Sequence, residues 1–193
     1  MNLNVNEIFY SLQGEGGRTG HASIFIRLAK CNLACSFCDT DFVHGVKMTI
    51  DEVFNVIDKF GCKWIIWTGG EPTLQLNDKI VALFKERGYM QAIETNGTKR
   101  VPNGIDYITC SPKQNFEKVK ELIPEVDELR FPIMKGDPLP DISILPKTER
   151  YLLSPIFDDS VIIQENVDYC ISIIKENPTW ALSLQVHKLI GIR

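Results

Sequence analysis

Apolar, β-rich runs alternate with amphipathic stretches along nearly all of this 193-residue chain. That alternation is the pattern of an α/β domain built on a largely parallel sheet. Strands are expected at 23–29, 63–67, 89–94, 107–110, 128–133, 151–154 and 181–185. Between the first two, Thr49 with Glu52 three residues on reads as a capping box. Ile50, Val53, Phe54, Ile57 and Phe60 then recur at helical spacing. Further helices are expected at 78–87, stopped by Gly88, at 116–122 before Pro124, and at 165–176 before Pro178. Four prolines between Pro132 and Pro146 leave that stretch as loop with at most a short helical turn. About six or seven strands with three or four helices are too few for a closed eightfold barrel. The expectation is an α/β fold, a partial (open) βα barrel with about six core strands and a reduced helix set, over one domain spanning 1–193. Its ligands belong outside the carboxyl ends of the strands.

Composition narrows the class of function. Apolar residues make up 44% and charged residues 24%, the balance of a globular chain. Lysine and arginine number 21 against 25 acids, a net charge of −4. Without a basic footprint, no direct nucleic-acid binding is expected. A small anionic substrate needs only one or two local cations and stays open. No run approaches the roughly 20 apolar residues of a membrane span. The first residues carry neither the basic nor the apolar segment of a secretory signal. A cytoplasmic location and no membrane partner are expected.

Three of the six cysteines, Cys31, Cys35 and Cys38, follow the first expected strand within eight residues. In a cytosolic chain that grouping points to metal or redox chemistry rather than disulfides. Three thiolates on one tight loop suit an iron–sulfur cluster with one iron left open. They equally suit a structural zinc with His21 or His44 as fourth ligand. Spacing alone leaves the two level. Cys62, Cys110 and Cys170 are scattered and read as buried, inert thiols.

The next motif decides between them. Thr68-Gly69-Gly70-Glu71-Pro72 stands after the second expected strand, where glycines let backbone approach a ligand closely. CxxxCxxC with Phe37 before the last cysteine, followed by this turn, resembles the radical S-adenosylmethionine enzymes. Within them, Tyr10-Ser11-Leu12-Gln13-Gly14-Glu15-Gly16, Cys38-Asp39-Thr40-Asp41-Phe42, Glu94-Thr95-Asn96-Gly97, Ser111-Pro112-Lys113 and Ser183-Leu184-Gln185-Val186-His187-Lys188 resemble the 7-carboxy-7-deazaguanine synthases. The likeness runs from Glu7 to the last residue.

The resemblance implies rearrangement of 6-carboxy-5,6,7,8-tetrahydropterin to 7-carboxy-7-deazaguanine with loss of ammonia. It implies a [4Fe–4S] cluster on Cys31, Cys35 and Cys38, S-adenosylmethionine, and Mg²⁺ on Thr40. It also implies an electron donor of the flavodoxin or ferredoxin type and a homodimer. Leu12, Gln13, Gly14, Glu15, Arg27, Thr68 and Arg193 fall on its substrate positions, Arg27 with a guanidinium fork suited to a carboxylate and Arg193 through its main-chain carboxylate rather than its side chain. Phe37, Cys38, Asp39, Gly70, Glu94, Ser111, Pro112, Lys113, Ser154, Pro155, Ile156 and Phe157 fall on its S-adenosylmethionine positions. His187 reads as a buried structural histidine, and neither it nor Lys188 is counted as catalytic. Two rival readings are a glycyl-radical activating enzyme and a zinc-stabilised module without catalysis.

Overall fold

A computed structural model describes residues 1–36, 38 and 43–193. The chain runs β1 (Asn2–Leu12), β2 (Ala22–Leu28), β3 (Val46–Thr49), α1 (Ile50–Ile57), β4 (Trp64–Gly69), α2 (Asp78–Glu86) and β5 (Met90–Thr95). It continues through β6 (Tyr107–Cys110), α3 (Phe116–Leu122), β7 (Glu128–Ile133), β8 (Tyr151–Pro155), α4 (Gln164–Glu176), β9 (Trp180–Leu182) and α5 (Val186–Leu189). The strands make one sheet in the order β3-β1-β2-β4-β5-β6-β7-β8-β9. It is parallel from β2 to β9, and β1 lies antiparallel between β2 and β3. With β3 and β9 at opposite edges the sheet is open, as the sequence led us to expect.

Local signals account for the helix ends. The Thr49 hydroxyl accepts from the Glu52 amide at 3.2 Å while the Glu52 carboxylate accepts from the Thr49 amide at 2.7 Å. α2 begins on Asn77, whose side chain accepts from the Ile80 amide, and stops before Gly88 at φ +79. The proline-rich stretch holds one short helical turn, Ile142–Ile144.

Period-two alternation sorts the strand side chains onto two faces. On one face Ile24, Ile26, Leu28, Ile65, Trp67, Ile93, Leu129, Phe131 and Ile133 form the main core with Val53, Phe54, Phe84, Val119 and Cys170 of the helices. The other face starts with an apolar layer of Phe25, Ile66 and Ala92, joined by Phe9, Trp64 and Tyr107. Phe9 stacks on Phe25 with ring centres 4.8 Å apart. At the amino ends of the strands, the Arg18 guanidinium lies 3.5 Å over the Trp64 ring. Two residues beyond the apolar layer, toward the carboxyl ends, the same face carries Arg27, Thr68, Glu94 and Thr109. Polar groups therefore gather at the mouth of the open barrel.

Three elements escaped the sequence reading. β1 hides its alternation of Leu3 and Val5 behind Asn2, Asn4 and Asn6, a residue type depleted in strands. β3 and α5 have four residues each, too short to show a period. α1 also ends at Ile57, so Phe60 lies past the helix and stacks on Tyr10 instead. β9 starts one residue earlier than expected and ends at Leu182, where the Ser183 amide turns to the Leu153 carbonyl.

Candidate functional site

β2 delivers the cysteine loop to the mouth. Cys31, Cys35 and Cys38 all line one cavity of about 280 Å³. The Leu33 amide approaches Cys31 Sγ at 3.4 Å, and burial pushes the Cys31 thiol up. Among the described residues no three His, Cys, Asp or Glu side chains converge as a metal-holding group. The donor set nevertheless fits an iron–sulfur cluster: three soft thiols face one space, and one is hard to ionise without a cation beside it. His21 precedes β2, at the opposite end of that strand from the thiols, roughly 20 Å away at strand rise. It cannot complete a zinc site with them.

The glycine turn packs on this loop. The Gly70 amide donates to the Leu28 carbonyl at 3.0 Å and the Glu71 amide to the Lys30 carbonyl at 2.9 Å. A Cβ on Gly69 would stand 2.1 Å from the Leu28 carbonyl oxygen, and one on Gly70 would stand 2.0 Å from that of Lys30. The glycines are thus required first by the approach of chain to chain, with Gly70 also lining the cavity. Glu71 is fully buried. Its Oε1 accepts from the Thr73 amide and from the Thr73 and Thr95 hydroxyls, and its Oε2 from the Asn96 amide at 2.7 Å. One carboxylate thereby locks the turn to the end of β5.

A second cavity of about 560 Å³ adjoins the first. Leu12, Gln13, Gly14, Glu15, Arg27, Thr68 and Arg193 all line it. Cys38, Gly70, Glu94, Ser111, Lys113, Ser154, Pro155, Ile156 and Phe157 all line the first. Pro112 is buried beside that set without reaching the cavity. Thr40, Phe37 and Asp39 lie outside the described residues. Of the described candidates, the substrate group lines the second cavity and the S-adenosylmethionine group, Pro112 apart, lines the first, with Glu15, Thr68 and Glu94 reaching both. Among the described residues, six line both: Glu15, Thr68, Glu94, Arg130, Gln185 and Lys188.

Several side chains hold partners that the sequence did not suggest. Arg27 directs Nε to Glu7 Oε1 at 2.9 Å, so part of its fork is engaged within the chain. The Arg193 guanidinium pairs with the other oxygen of Glu7, while its main-chain oxygen accepts from the Ser11 hydroxyl at 2.6 Å. Gln13 donates through Nε2 to Glu94 at 3.0 Å and accepts from the Glu15 amide at 3.2 Å. His187 covers Gly14, whose missing Cβ would meet Nδ1 at 2.0 Å. In the first cavity Lys113 donates to Ser111 Oγ at 2.7 Å, and burial lowers its ammonium to about 8. Ser154 Oγ is buried with no partner among the described residues. That orphaned hydroxyl and this cation fit a polar nucleoside cofactor in the first cavity.

Arg130 is the residue sequence reasoning missed. It is buried on β7, with Nη1 3.2 Å from Glu15 and 3.9 Å from Glu128, while Nη2 donates to Glu94. Glu128 in turn accepts from the Gly17 amide, the Tyr107 hydroxyl and the Thr109 hydroxyl. Burial pushes the Glu94 carboxyl up to about 7, with Arg130 opposing and Glu128 and Glu15 adding to the rise. The signal was two charged residues at i and i+2 in an otherwise apolar strand, one polar stripe on one face.

The Radical SAM superfamily pattern matches residues 25–142. The chain is 42% identical to the 7-carboxy-7-deazaguanine synthase of Bacteroides thetaiotaomicron, over 98% of each chain. It is 40% identical to the Haemophilus influenzae enzyme of that name, over 99% of this chain and 94% of the other. Its fold superposes on the crystal structure of QueE from Escherichia coli with a TM-score of 0.74 at 25% identity, covering 97% of this chain and 95% of that one.

Proposed function

Because the chain belongs to the 7-carboxy-7-deazaguanine synthases of the radical SAM superfamily, we propose that it converts 6-carboxy-5,6,7,8-tetrahydropterin to 7-carboxy-7-deazaguanine with loss of ammonia. The product is a precursor of queuosine-type bases. One observation carries this reading: a thiol-lined cavity and a separate cavity rimmed by Arg27, Gln13 and Glu15 meet at one wall. A radical enzyme needs its cofactor and its substrate in adjoining spaces, and that arrangement meets the need.

Cys31, Cys35 and Cys38 hold the [4Fe–4S] cluster, and Gly70, Ser111, Lys113 and residues 154–157 hold S-adenosylmethionine. Bound there, these groups supply radical hydrogen abstraction, directed at C6 of the pterin ahead of ring contraction. Arg27 holds the substrate carboxylate. The Leu12 to Glu15 segment, Thr68 and Arg193 meet the pterin. Thr40 would supply its hydroxyl to Mg²⁺, which takes hard oxygen donors. The whole chain works as one domain, in a homodimer in the cytoplasm, reduced by a flavodoxin- or ferredoxin-type protein.

The test is anaerobic turnover of cluster-reconstituted protein with dithionite, S-adenosylmethionine, Mg²⁺ and the carboxytetrahydropterin, products read by mass spectrometry. Formation of 7-carboxy-7-deazaguanine is the expected outcome. If 5′-deoxyadenosine alone appeared, the substrate assignment would fall. A colourless protein with one zinc would remove the chemistry altogether.

A further inference from the structure

We propose that Arg130 is a positioning residue for the reaction assigned above: through Glu15 and Glu94 it holds the wall between the two cavities, and so sets where the substrate lies relative to the cofactor. The inference rests on that reading of the reaction.

Glu15 comes from the loop after β1 and Glu94 from the end of β5, on opposite sides of β2 and β4 in the sheet. Both line both cavities. Arg130 reaches both with different nitrogens: Nη2 donates to Glu94, while Nη1 stands 3.2 Å from Glu15 as an ion pair without a hydrogen bond. The far oxygen of each carboxylate is also held, Glu15 by Gln185 Nε2 at 3.0 Å and Glu94 by Gln13 Nε2 at 3.0 Å. Neither carboxylate can therefore turn without breaking a second contact. Arg130 itself has a side chain only 8% exposed, and Glu128 stands behind it on the same strand.

A planar guanidinium spreads its charge over two terminal nitrogens at a fixed separation, while an ammonium is a single point charge. Arginine can thus meet both carboxylates at once, Glu94 by a hydrogen bond and Glu15 by charge. Without it, Glu15 and Glu94 lose the partner they share, and the wall between the cavities is free to shift. A shift of that wall displaces the substrate from the point of hydrogen transfer, and radical chemistry then runs without product.

The experiment compares wild type, Arg130→Lys and Arg130→Gln as anaerobic, cluster-loaded enzymes. It reads product formed per 5′-deoxyadenosine, KM for the pterin, and pterin binding without reductant by calorimetry. Cluster absorbance and thermal midpoint report the fold. For Arg130→Lys, which keeps the buried charge, we expect product per 5′-deoxyadenosine to fall about tenfold or more, because small misplacements of reacting atoms cost up to about a hundredfold. Pterin affinity should weaken about tenfold. Arg130→Gln should show the same pattern more strongly. Coupling and pterin binding of Arg130→Lys equal to wild type would overturn the proposal. So would loss of cluster and fold in both variants, since Arg130 would then serve the fold alone. If only Arg130→Gln misfolds, Arg130→Lys decides. Wild type making no product from the pterin would sink the reaction itself, and the role assigned to Arg130 with it.

Discussion

Asn96, at the end of β5, donates through Nδ2 to Asn32 Oδ1 across 3.1 Å. Asn32 stands between the first two thiols of the cysteine loop. Its own Nδ2 donates to the Thr98 hydroxyl at 2.8 Å, and Thr98 donates back to Asn96 Oδ1 from both amide and hydroxyl. The ring of bonds ties the thiol loop to the sheet. Asn96→Ala should therefore cost only about 1 kcal/mol of stability and yet let the loop loosen. The expected result is faster bleaching of the cluster in air and less iron per chain. Iron content and bleaching rate equal to wild type would count against the tie.

Glu71 offers a sharper case of satisfaction inside the core. Four donors converge on its two oxygens. A glutamine keeps one acceptor oxygen and must aim an NH₂ at groups that already donate. Glu71→Gln should lose roughly 2–4 kcal/mol, the cost of leaving buried donors unmet, read as a lower urea midpoint. A change below about 0.5 kcal/mol would show that the turn tolerates rearrangement.

Two glycines differ in what an added methyl meets. At Gly70 the obstacle is a main-chain carbonyl 2.0 Å away, which cannot swing aside as a side chain would. Gly88 has open space around it but φ at +79. Gly88→Ala should cost about 1 kcal/mol from backbone strain alone. Gly70→Ala should cost several times as much and abolish S-adenosylmethionine binding. Thermal midpoints and ligand titration on both variants check the contrast, and equal losses would refute it.

The raised carboxyl of Glu94 makes stability depend on pH. The folded chain holds this proton up to about 7, against an ordinary value of 4.5. The contribution is therefore complete below 4.5 and is lost as pH rises through 7. Facing Glu94 are Arg130 and Glu128 from β7 and Glu15 from the loop after β1, with Lys188 of α5 on the same cavities. Urea midpoints measured between about pH 5 and about pH 8 should fall, and Glu94→Gln should flatten that slope. An unaltered slope in the variant would place the titration elsewhere.

The parts of the site that were legible in the sequence are those whose meaning is local. Thiol spacing, a double glycine and a capping box each act within a few residues, so their order in the chain is their order in space. The strands from β4 to β8 were legible because burial on both faces writes continuous apolar runs. Arg130 and Glu128 were not, because a charge in a strand tells nothing until the sheet shows which face is inward. Glu71 escaped for a related reason: its donors come from residues 73, 95 and 96, gathered only by the fold. Arg27 was placed at the mouth, but its partner Glu7 lies on β1, the strand whose asparagines concealed it.

Among the described residues six side chains belong to both cavities, and this has a consequence for affinity. A ligand that shifts Glu15, Glu94 or Arg130 from one side moves part of the surface the other ligand must meet. The two occupancies then share a coupling free energy, which is symmetric by thermodynamic necessity. Whatever factor the cofactor adds to the grip on the substrate, the substrate returns to the grip on the cofactor.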